Sequence, residues 1–469
     1  MPDTPAMGPH DPAPTRAPIW RRVWGSIVRG PLRPRSDRER KWIVVNNFLL
    51  HVRPVRVAER TLALTHTFGL GGMSFLLVAV LFGTGTLLMF GYEAAPGGAY
   101  HSVVAIEQDT GFGGLVRGVH HWSANLLVVI AALHLLRVFF TSAFHPPRQF
   151  NWVIGLGLLL GVLAANFTGY LLPWDQLAYW AITISTGMLE YIPLLGTWAR
   201  DAVRGGPEIG QATLTTFYAL HTTVLPVLVL GLSGFHFWRV RKAGGVVQPR
   251  PAAQDPEAEP SRVLAVPNLL LREFVTALVL LAVVVNLAAL VPAPLGPAAN
   301  PGMSPNPAKA PWYFMGIQEL LLHFDPLFAV LLVPGALLLG LAAIPYLPYE
   351  ADTSGIWFVS RRGRRLALRA AALSLLVTPI AVVLDEYVLD LPAWLPSWPG
   401  VITNGVLPAG LIGGGLWAAG RWLRRQRGAT RNEVILAGMT FLTVAFVVLT
   451  TVGVWFRGPG MALTLPWGR

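Results

Sequence analysis

Nine apolar runs, each close to the length of about 20 residues that a membrane-spanning helix needs, constrain this chain more than any other feature of its sequence. They lie at about 66–90, 118–140, 152–172, 218–238, 271–292, 327–347, 366–384, 402–420 and 433–456. Each is long enough to cross a hydrocarbon core of about 30 Å as an α-helix. Only 13% of the residues are charged, whereas about 25% is usual in soluble domains. The sequence therefore predicts an all-α integral membrane protein with about nine transmembrane helices, and not a barrel of strands that alternate over about ten residues.

The positive charges are distributed unequally between the two sides of the membrane. The N-terminal arm and every second loop, with the adjoining helix ends, carry 30 Lys and Arg residues, and the rest of the chain carries 6. Because cytoplasmic loops hold the excess of basic residues, the N-terminus is predicted to be cytoplasmic. The basic loops also account for the net charge of +12, so membrane lipid is the expected partner and nucleic acid is not.

Composition changes divide the chain into six parts. Pro and Arg dominate the first residues, a mixture of apolar and basic residues precedes the first run, and a segment rich in Pro, Ala and Glu follows the fourth. These features predict a flexible cytoplasmic tail, an interfacial helix and a linker. The predicted parts are the tail 1–36, the interfacial helix 37–60, a four-helix domain 61–245, the linker 246–265, helices and a loop at 266–350, and C-terminal transmembrane helices at 351–469.

Four histidines occur at two matched spacings in the second and fourth runs. His134 follows His120 at i+14, and His236 follows His221 at i+15. At about 100° per residue each pair returns to one helix face, roughly 21 to 22 Å apart along the axis. The two helices cross the membrane in opposite directions, so His120 and His221 are predicted to lie near the outer side and His134 and His236 near the cytoplasmic side. Imidazoles that face each other at one depth can ligate a haem iron, which favours two haems in one bundle.

Glycines in the flanking runs repeat the i+14 spacing. Gly71 and Gly85 are related in this way in the first run, as are Gly155 and Gly169 in the third. Small residues at these depths are expected to leave room for two flat macrocycles.

Two further sequence features bear on the haems. Arg117 and Arg137 each lie three residues from a histidine and are candidates to pair with haem propionates. Cysteine is absent from the chain, which excludes a haem attached through thioether bonds and metal sites built on thiolates.

These motifs resemble one family, the cytochrome b subunit of Rieske and cytochrome b quinol oxidoreductases. The resemblance runs from about Arg53 to Tyr349 and rests on HHWSANLLVVIAALHLLRVF, TGYLLPWDQLAYWA, FYALHTTVLPVLVLGLSGFHFWR and the Pro-Trp-Tyr at 311–313. The i+15 histidine spacing and the PWDQ sequence resemble the photosynthetic and bacterial short-form branch. Here the two halves are fused in one chain.

The resemblance implies a set of cofactors, partners and site residues. It implies two non-covalent b-type haems, one held by His120 and His221 and one by His134 and His236, with Arg117 and Arg137 at their propionates. It implies a homodimeric quinol:cytochrome c oxidoreductase in a bacterial-type cytoplasmic membrane, with a Rieske iron-sulfur protein and a c-type cytochrome as partners and with proton translocation. The implied quinol site near the outer haem contains Pro173, Trp174, Asp175, Gln176, Tyr179, Pro311, Trp312 and Tyr313.

Two positions depart from the family pattern. The family loop usually reads Pro-Glu-Trp-Tyr, whereas Pro311 precedes Trp312 here, so the carboxylate that accepts a quinol proton is missing. A buried carboxylate suits that role because desolvation raises its pKa, and Asp175, Glu319 and Asp325 are candidates to replace it. Gly69 stands where the photosynthetic branch has a cysteine that holds an extra haem, so no covalent haem is expected.

Two other functions remain open at this stage. A dihaem quinone anchor that does not split the two quinol electrons is compatible with the missing Glu. A proton-coupled transporter could also use intramembrane histidines, although the inverted repeats and broken helices common in transporters are not evident in the sequence.

Overall fold

The computed structural model describes residues 18–27, 36, 56–250 and 261–465. Residues 56–250 are called the front half below, and residues 261–465 the rear half. Most of the predicted interfacial helix, residues 37–55, and half of the predicted linker, residues 251–260, lie outside the described residues.

The described residues are mostly α-helical. The α-helices are α1 Ile19–Ile27, α2 Leu64–Thr67, α3 Leu70–Met89, α4 Ala99–Gln108, α5 Gly113–Phe140, α6 Gln149–Leu171, α7 Gln176–Gly187, α8 Gly196–Arg204, α9 Gln211–Ala219, α10 Leu225–Lys242, α11 Ala265–Leu290, α12 Met315–His323, α13 Val333–Ala343, α14 Arg361–Tyr387, α15 Leu391–Trp394, α16 Leu407–Arg427 and α17 Arg431–Trp455. Short 3₁₀ helices cover Glu59–Leu62, Met188–Tyr191, Trp312–Phe314, Ile344–Tyr346 and Pro459–Met461.

Eight helical stretches of the described chain are long and apolar enough to cross a membrane. They are Leu70–Met89, Gly113–Phe140, Gln149–Leu171, Gln211–Lys242, Ala265–Leu290, Phe328–Tyr346, Arg361–Tyr387 and Arg431–Trp455. The all-α membrane class is therefore confirmed. The remaining predicted span, 402–420, is also helical, but its helix α16 is rich in Gly and has three arginines in its last turn. That composition lowers its apolar character below that of the other eight.

Prolines explain three irregular turns, two within the eight stretches and one directly before α16. The π-helical turns Leu220–Val224, Phe328–Leu332 and Ile402–Val406 each end two residues before a proline, namely Pro226, Pro334 and Pro408. Proline has no N–H group, and its ring clashes with the carbonyl group four residues earlier. The wider turn accommodates the ring, so the helix continues across the proline without breaking.

The two halves are joined along one helix pair and at the end of the bundle that is predicted to be cytoplasmic. This end and the opposite end are called the cytoplasmic end and the outer end below, after that prediction. Strand β1 Arg56–Ala58 pairs antiparallel with strand β2 Arg262–Leu264. A Cβ atom on Gly118 of α5 would lie 3.1 Å from the Cβ of Ala288 of α11, so glycine permits these helices to approach closely. Strand β1, at the end of the predicted interfacial helix, and strand β2, in the predicted linker, thus form a small sheet.

The N-terminal segment differs from the predicted flexible tail. Residues Ile19–Ile27 form helix α1, and its Ser26 hydroxyl lies 2.9 Å from the Tyr346 hydroxyl of the rear half. Arg239 of the front half donates to the Ile27 carbonyl at 3.2 Å. The apolar and basic residues of this segment alternate with helical periodicity, so the helix packs one face against the cytoplasmic ends of both halves.

Candidate functional site

The structure brings the four motif histidines together as two pairs. The ring centres of His120 on α5 and His221 are 6.1 Å apart, with the rings inclined at 71°. Those of His134 and His236 are 6.4 Å apart, with the rings inclined at 77°. The pairs lie at two depths in the bundle of α3, α5, α6 and α10, as matched spacing predicts for helices that cross in opposite directions.

The π-helical turn explains why the two spacings differ by one position. His221 lies in the turn Leu220–Val224, at the beginning of the longer interval, which ends at His236. A π-turn contains one residue more than the α-helical turn that it replaces. The side chains that follow it therefore keep roughly the direction that they would have without the extra residue. The longer interval, which contains this turn, therefore matches the shorter and regular interval between His120 and His134.

Hydrogen bonds orient both rings of the outer pair. Thr84 Oγ1 donates to the Val80 carbonyl, so its oxygen is free to accept from His120 Nδ1 at 2.9 Å. His221 Nδ1 lies 2.9 Å from the Ala165 carbonyl oxygen. Because a carbonyl can only accept, the Nδ1 atom of His221 carries the proton and Nε2 keeps its lone pair. Such bonds are typical of ligand histidines, since they fix the ring and raise its basicity.

Each of the four predicted glycines faces one of the four histidines. A Cβ atom would lie 2.4 Å from His221 Cε1 if placed on Gly169, 3.2 Å from His120 Cε1 on Gly85, 3.4 Å from His134 Cε1 on Gly71, and 3.6 Å from His236 Cε1 on Gly155. The glycines therefore make room for the imidazoles, and the room for two macrocycles at the same depths stays a prediction. The effect is strongest at Gly169, where any larger residue must displace the ring.

The paired rings fit an iron ion between them. Two imidazoles on opposite sides of one metal, at about 2 Å for each metal–nitrogen bond, have ring centres roughly 6 Å apart, as both pairs do. Arg137, three residues from His134, is 7% exposed, and its Nη2 atom has no hydrogen-bond partner among the described residues. A buried guanidinium nitrogen of this kind suits the carboxylate of a haem propionate.

Arg117, at the outer end, is engaged differently. It forms an ion pair with Glu107 of α4 and donates to the carbonyl oxygens of Ala293 at 3.0 Å and Pro294 at 2.7 Å. Its guanidinium group thus connects the front half to the segment that follows α11.

The segment from Pro173 to Tyr179 lies against the loop that follows α11. Asp175 caps α7 by accepting from the Ala178 N–H at 2.9 Å, and it also accepts from the Gly296 N–H at 2.9 Å. Gln176 donates to the Met303 carbonyl. Trp174 and Tyr179 are buried and meet edge to face at 5.6 Å. Asp175 and Gln176 therefore hold two outer segments together.

The Pro311–Trp312–Tyr313 loop reaches into the front half. Trp312 Nε1 donates to Asn125 Oδ1 on α5 at 2.6 Å, and Tyr313 is buried in the apolar core between α3, α5 and α11. The rings of Phe314 and Phe167, near the outer end of α6, are 5.9 Å apart. Both predicted quinol segments thus adjoin the outer end of α6, on the same side of the bundle as His120 and His221.

Glu319 belongs to a buried ion cluster on the outer side. Its carboxylate is fully buried and accepts from Arg457 Nη2 at 2.6 Å and from His323 Nε2 at 3.2 Å. His323 Nδ1 in turn donates to Asp385 at 2.6 Å, and Arg457 Nη1 donates to Glu386 at 2.9 Å. The outer ion cluster, as these five residues are called below, connects α12, the end of α14 and the segment after α17.

The cluster determines the charge state of Glu319. Burial alone would raise the pKa of Glu319, but the bonds from His323 and Arg457 outweigh it and hold the pKa below its ordinary value. Burial alone would lower the pKa of His323, but the bonds to Asp385 and Glu319 raise it to about 9. Glu319 is therefore ionised and ion-paired at neutral pH, and it lacks the raised pKa that the sequence argument sought in a proton acceptor.

Asp325, the third carboxylate candidate, lies between α12 and the next span. Its Oδ1 atom accepts from the Leu327 N–H at 3.0 Å, and its backbone N–H donates to the Asn404 carbonyl at 2.8 Å. This carboxylate therefore stabilises the start of the sixth span.

Sequence reasoning missed most of the outer ion cluster. It predicted only transmembrane helices at 351–469, yet Asp385, Glu386 and Arg457 lie in that region. Two signals were present: adjacent acidic residues at the end of an apolar run, and an arginine directly after the last one.

Comparisons with known proteins agree with these features. The family model "Cytochrome b/b6/petB" matches residues 58–244. Cytochrome b6 of Porphyra purpurea is 43% identical over 177 residues, and that of Synechococcus elongatus is 42% identical over 175; each alignment covers 37% of this chain and 81% of the relative. A solved chain of a hyperthermophilic respiratory Complex III has the same fold with a TM-score of 0.61 and 22% identity, over 89% of this chain and 96% of that one.

Proposed function

Since this chain belongs to the cytochrome b/b6 family and is a bc-type cytochrome b, we propose that it oxidises quinol near the outer face of a bacterial-type cytoplasmic membrane. The observation that carries the proposal is the arrangement of two imidazole pairs at two depths of one bundle. In the proposed complex a Rieske iron-sulfur protein and a c-type cytochrome accept electrons, the N-terminus is cytoplasmic, and the complex is a homodimer.

The histidines are proposed as ligands of two non-covalent b-type haems. His120 and His221 hold the outer haem, and His134 and His236 hold the inner one. When bound, these haems supply one-electron transfer across the membrane, which is the chemistry that the protein side chains lack. The hydrogen bonds to Nδ1 of His120 and His221 direct the Nε2 lone pairs of the outer pair toward each other, and the facing glycines admit the rings.

The outer segments are proposed to bind quinol. Trp312 and Tyr313 of the rear half, and Trp174 and Tyr179 of the front half, provide aromatic surface near the outer histidine pair. Asp175 and Gln176 hold these segments in place through the bonds to Gly296 and Met303. Quinol oxidised here releases its protons on the outer side, and reduction of quinone near the cytoplasmic side takes protons up there, which produces proton translocation.

The proton acceptor must be a residue other than Pro311, because proline has no titratable group. Asp175, Glu319 and Asp325 are the candidate carboxylates, and each already accepts hydrogen bonds from the protein. The variants Asp175→Asn, Glu319→Gln and Asp325→Asn test this set through the rate of quinol oxidation in the purified complex. Slower oxidation in one variant identifies the acceptor, and unchanged rates in all three exclude the set.

A second candidate function is a dihaem quinone anchor that does not split the two quinol electrons. The absence of a carboxylate at Pro311 is the observation that favours it. Oxidant-induced haem reduction separates the two functions. The purified complex is given quinol with the cytoplasmic-side quinone site inhibited, an oxidant for the Rieske chain is added, and b-haem absorbance is followed.

We expect extra haem reduction when the oxidant is added, because the second quinol electron then has only the haems to enter. Haems that respond to quinol without extra reduction would support the anchor. A preparation without haem would contradict both functions and favour a proton-coupled transporter.

A further inference from the structure

Besides Nδ1 of His236 and Oδ1 of Asn151, two buried polar atoms at the cytoplasmic end of the bundle have no hydrogen-bond partner among the described residues. They are Nδ1 of His66, whose residue is 2% exposed, and Nη2 of Arg137, whose residue is 7% exposed. His66 lies in α2, just before the first span, and Arg137 lies about one turn after His134. Buried polar groups in folded proteins are nearly always paired. Two such atoms near the pair of His134 and His236 therefore indicate that a ligand binds there and supplies the missing hydrogen bonds.

The hydrogen bonds of His66 determine which atom can accept a proton. Its Nε2 atom lies 2.6 Å from the Val247 carbonyl oxygen. Because that oxygen only accepts, Nε2 carries the hydrogen and Nδ1 holds the lone pair. The His66 carbonyl accepts from Arg137 Nε at 2.9 Å, which holds the two residues next to each other. An unused acceptor and an unused donor are thus anchored in the same place.

A carboxylate fits this place under one condition. It can accept directly from Arg137 Nη2, but it would repel the lone pair on His66 Nδ1. Protonation of Nδ1 turns that atom into a donor, and the carboxylate then receives two charge-assisted hydrogen bonds. Because Arg137 follows His134 by three residues, the carboxylate at hand is a propionate of the haem that His134 holds.

We infer that His66 and Arg137 together bind one propionate of the inner haem, and that His66 takes up a proton at Nδ1 when that haem is reduced. The inference rests on the proposed function, since it requires a haem between His134 and His236. One electron from quinol enters the haem, one proton from the cytoplasmic side binds to His66, and the net charge of the site is unchanged. His66 is a positioning residue in this scheme, because it acts on the iron through the propionate.

The charges around His66 favour a neutral imidazole before the haem is reduced and a protonated one afterwards. Burial, and then the positive charge of Arg137, lower the pKa of His66, although the bond to Val247 opposes them. The neighbouring 3₁₀ helix Glu59–Leu62 carries Glu59 and Arg60, and Arg272 of α11 donates to its Leu62 carbonyl. The positive charge of Arg137 disfavours protonation of the imidazole. A propionate offsets part of that charge, and the electron gained on reduction adds further negative charge nearby, which favours proton binding.

Redox potentiometry of the haem-loaded protein as a function of pH tests this inference. A one-electron couple that binds one proton shifts its equilibrium tenfold for each pH unit, which is about 59 mV. We expect the midpoint potential of the inner haem to fall with that slope over part of the range from about pH 6 to pH 9. The inner haem is identified as the spectral signal that His236→Leu removes.

His66→Gln is the test variant, because glutamine can still donate to Val247 but does not titrate in this range. We expect the slope to fall to less than half of its value in the unmodified protein. His145→Gln is the matched control: His145 is also a cytoplasmic-side histidine, 2% exposed, but its Nε2 atom faces Thr353, away from the bundle. It should leave the slope intact.

Three results would overturn the inference. They are a potential that does not depend on pH in the unmodified protein, a slope in His66→Gln that keeps at least half of its value, and an equal loss of slope in His145→Gln. If His66→Gln fails to fold, the pH dependence in the unmodified protein still decides whether a proton is bound at all. Failure of the proposed function looks different, because no haem would then be held by the His134 and His236 pair.

Discussion

The outer and cytoplasmic ends of the histidine bundle are built differently. At the outer end, Thr84 and Ala165 hold the Nδ1 atoms of His120 and His221, and Arg117 bonds to Glu107 and to two carbonyl groups. At the cytoplasmic end, Nδ1 of His66 and Nη2 of Arg137 have no partner among the described residues.

The difference shows two ways of supporting a cofactor site. The protein preorganises the outer end through the hydrogen bonds of His120, His221 and Arg117, and it attaches that end to the rear half through Arg117 and the proposed quinol-site segments. At the cytoplasmic end, the buried atoms Nδ1 of His66 and Nη2 of Arg137 lack partners among the described residues, so a bound carboxylate can form hydrogen bonds with them. A preorganised site gives precise geometry, whereas an incomplete one can link binding to protonation.

Loss of one ligand at either end tests whether the ends hold separate haems. We expect His221→Leu and His236→Leu each to reduce the haem content of the purified protein from two per chain to one, because an iron with one axial histidine loses half of its protein ligands. Haem is measured as its pyridine complex relative to protein. If either variant lost both haems or kept both, the two ends would not hold separate haems in the way proposed.

Adding one methyl group at the facing glycines should affect the outer end more. A Cβ at Gly169 would lie 2.4 Å from His221, whereas one at Gly155 would lie 3.6 Å from His236, an ordinary contact distance. We expect Gly169→Ala to lose most of the outer haem and Gly155→Ala to keep the inner one, since only the first must displace its ring. Equal haem retention in the two variants, judged from absorbance spectra, would contradict this account.

The outer ion cluster should contribute strongly to stability. Arg457 is 1% exposed and pairs with Glu319 and Glu386. We expect Arg457→Gln to lower the free energy of unfolding by about 3–5 kcal/mol, because it leaves a buried carboxylate without its partner. Arg424→Gln, which removes an exposed pair with Glu350, should cost at most about 1 kcal/mol.

Thermal unfolding in detergent compares these two arginine variants. A similar fall in Tm for both would mean that the outer side is not held by its buried charges.

A further effect on stability, at His323 of the outer ion cluster, should depend on pH. The pKa of His323 rises from its ordinary 6.5 to about 9 in the folded protein. Its protonated form therefore stabilises the fold fully below about pH 6.5, and this contribution is lost as the pH rises through 9. We expect His323→Gln to cost roughly 3 kcal/mol more at pH 6 than at pH 9.5, measured as the difference in Tm from the parent. A cost that is constant with pH would remove His323 from the charged network.

Local periodicity was sufficient to predict eight spans and the histidine pairs. The intervals from His120 to His134 and from His221 to His236 repeat on helices, so a helical wheel places them. The extra position in the second interval was not understood from the sequence, although Pro226 marks the irregular turn. Helix α1 was also missed, because Pro-rich and Arg-rich surroundings obscure the amphipathic pattern around Trp20 and Trp24.

Tertiary charge pairs could not be predicted in the same way. Glu319 and His323 are four residues apart on one helix, but Arg457 is 138 residues from Glu319. No periodic pattern relates residues so distant, because their contact depends on how α12, α14 and α17 pack. Of the carboxylates proposed to replace the missing Glu, Asp175 lies in the other predicted quinol segment and Glu319 and Asp325 follow Pro311 in sequence, and the structure shows that each already has a bonding partner.

The pairing of β1 with β2 has a consequence for how the polypeptide could be divided. Strand β1 lies at the start of the front half and β2 follows residues 251–260, and Gly118 packs against Ala288 deeper in the bundle. Cleavage within residues 251–260 would leave two fragments aligned by main-chain hydrogen bonds and helix packing, with the loss only of the high effective concentration that a tether provides. Joining the halves in one reading frame therefore sets their stoichiometry and timing of synthesis, while the interface between them sets their geometry.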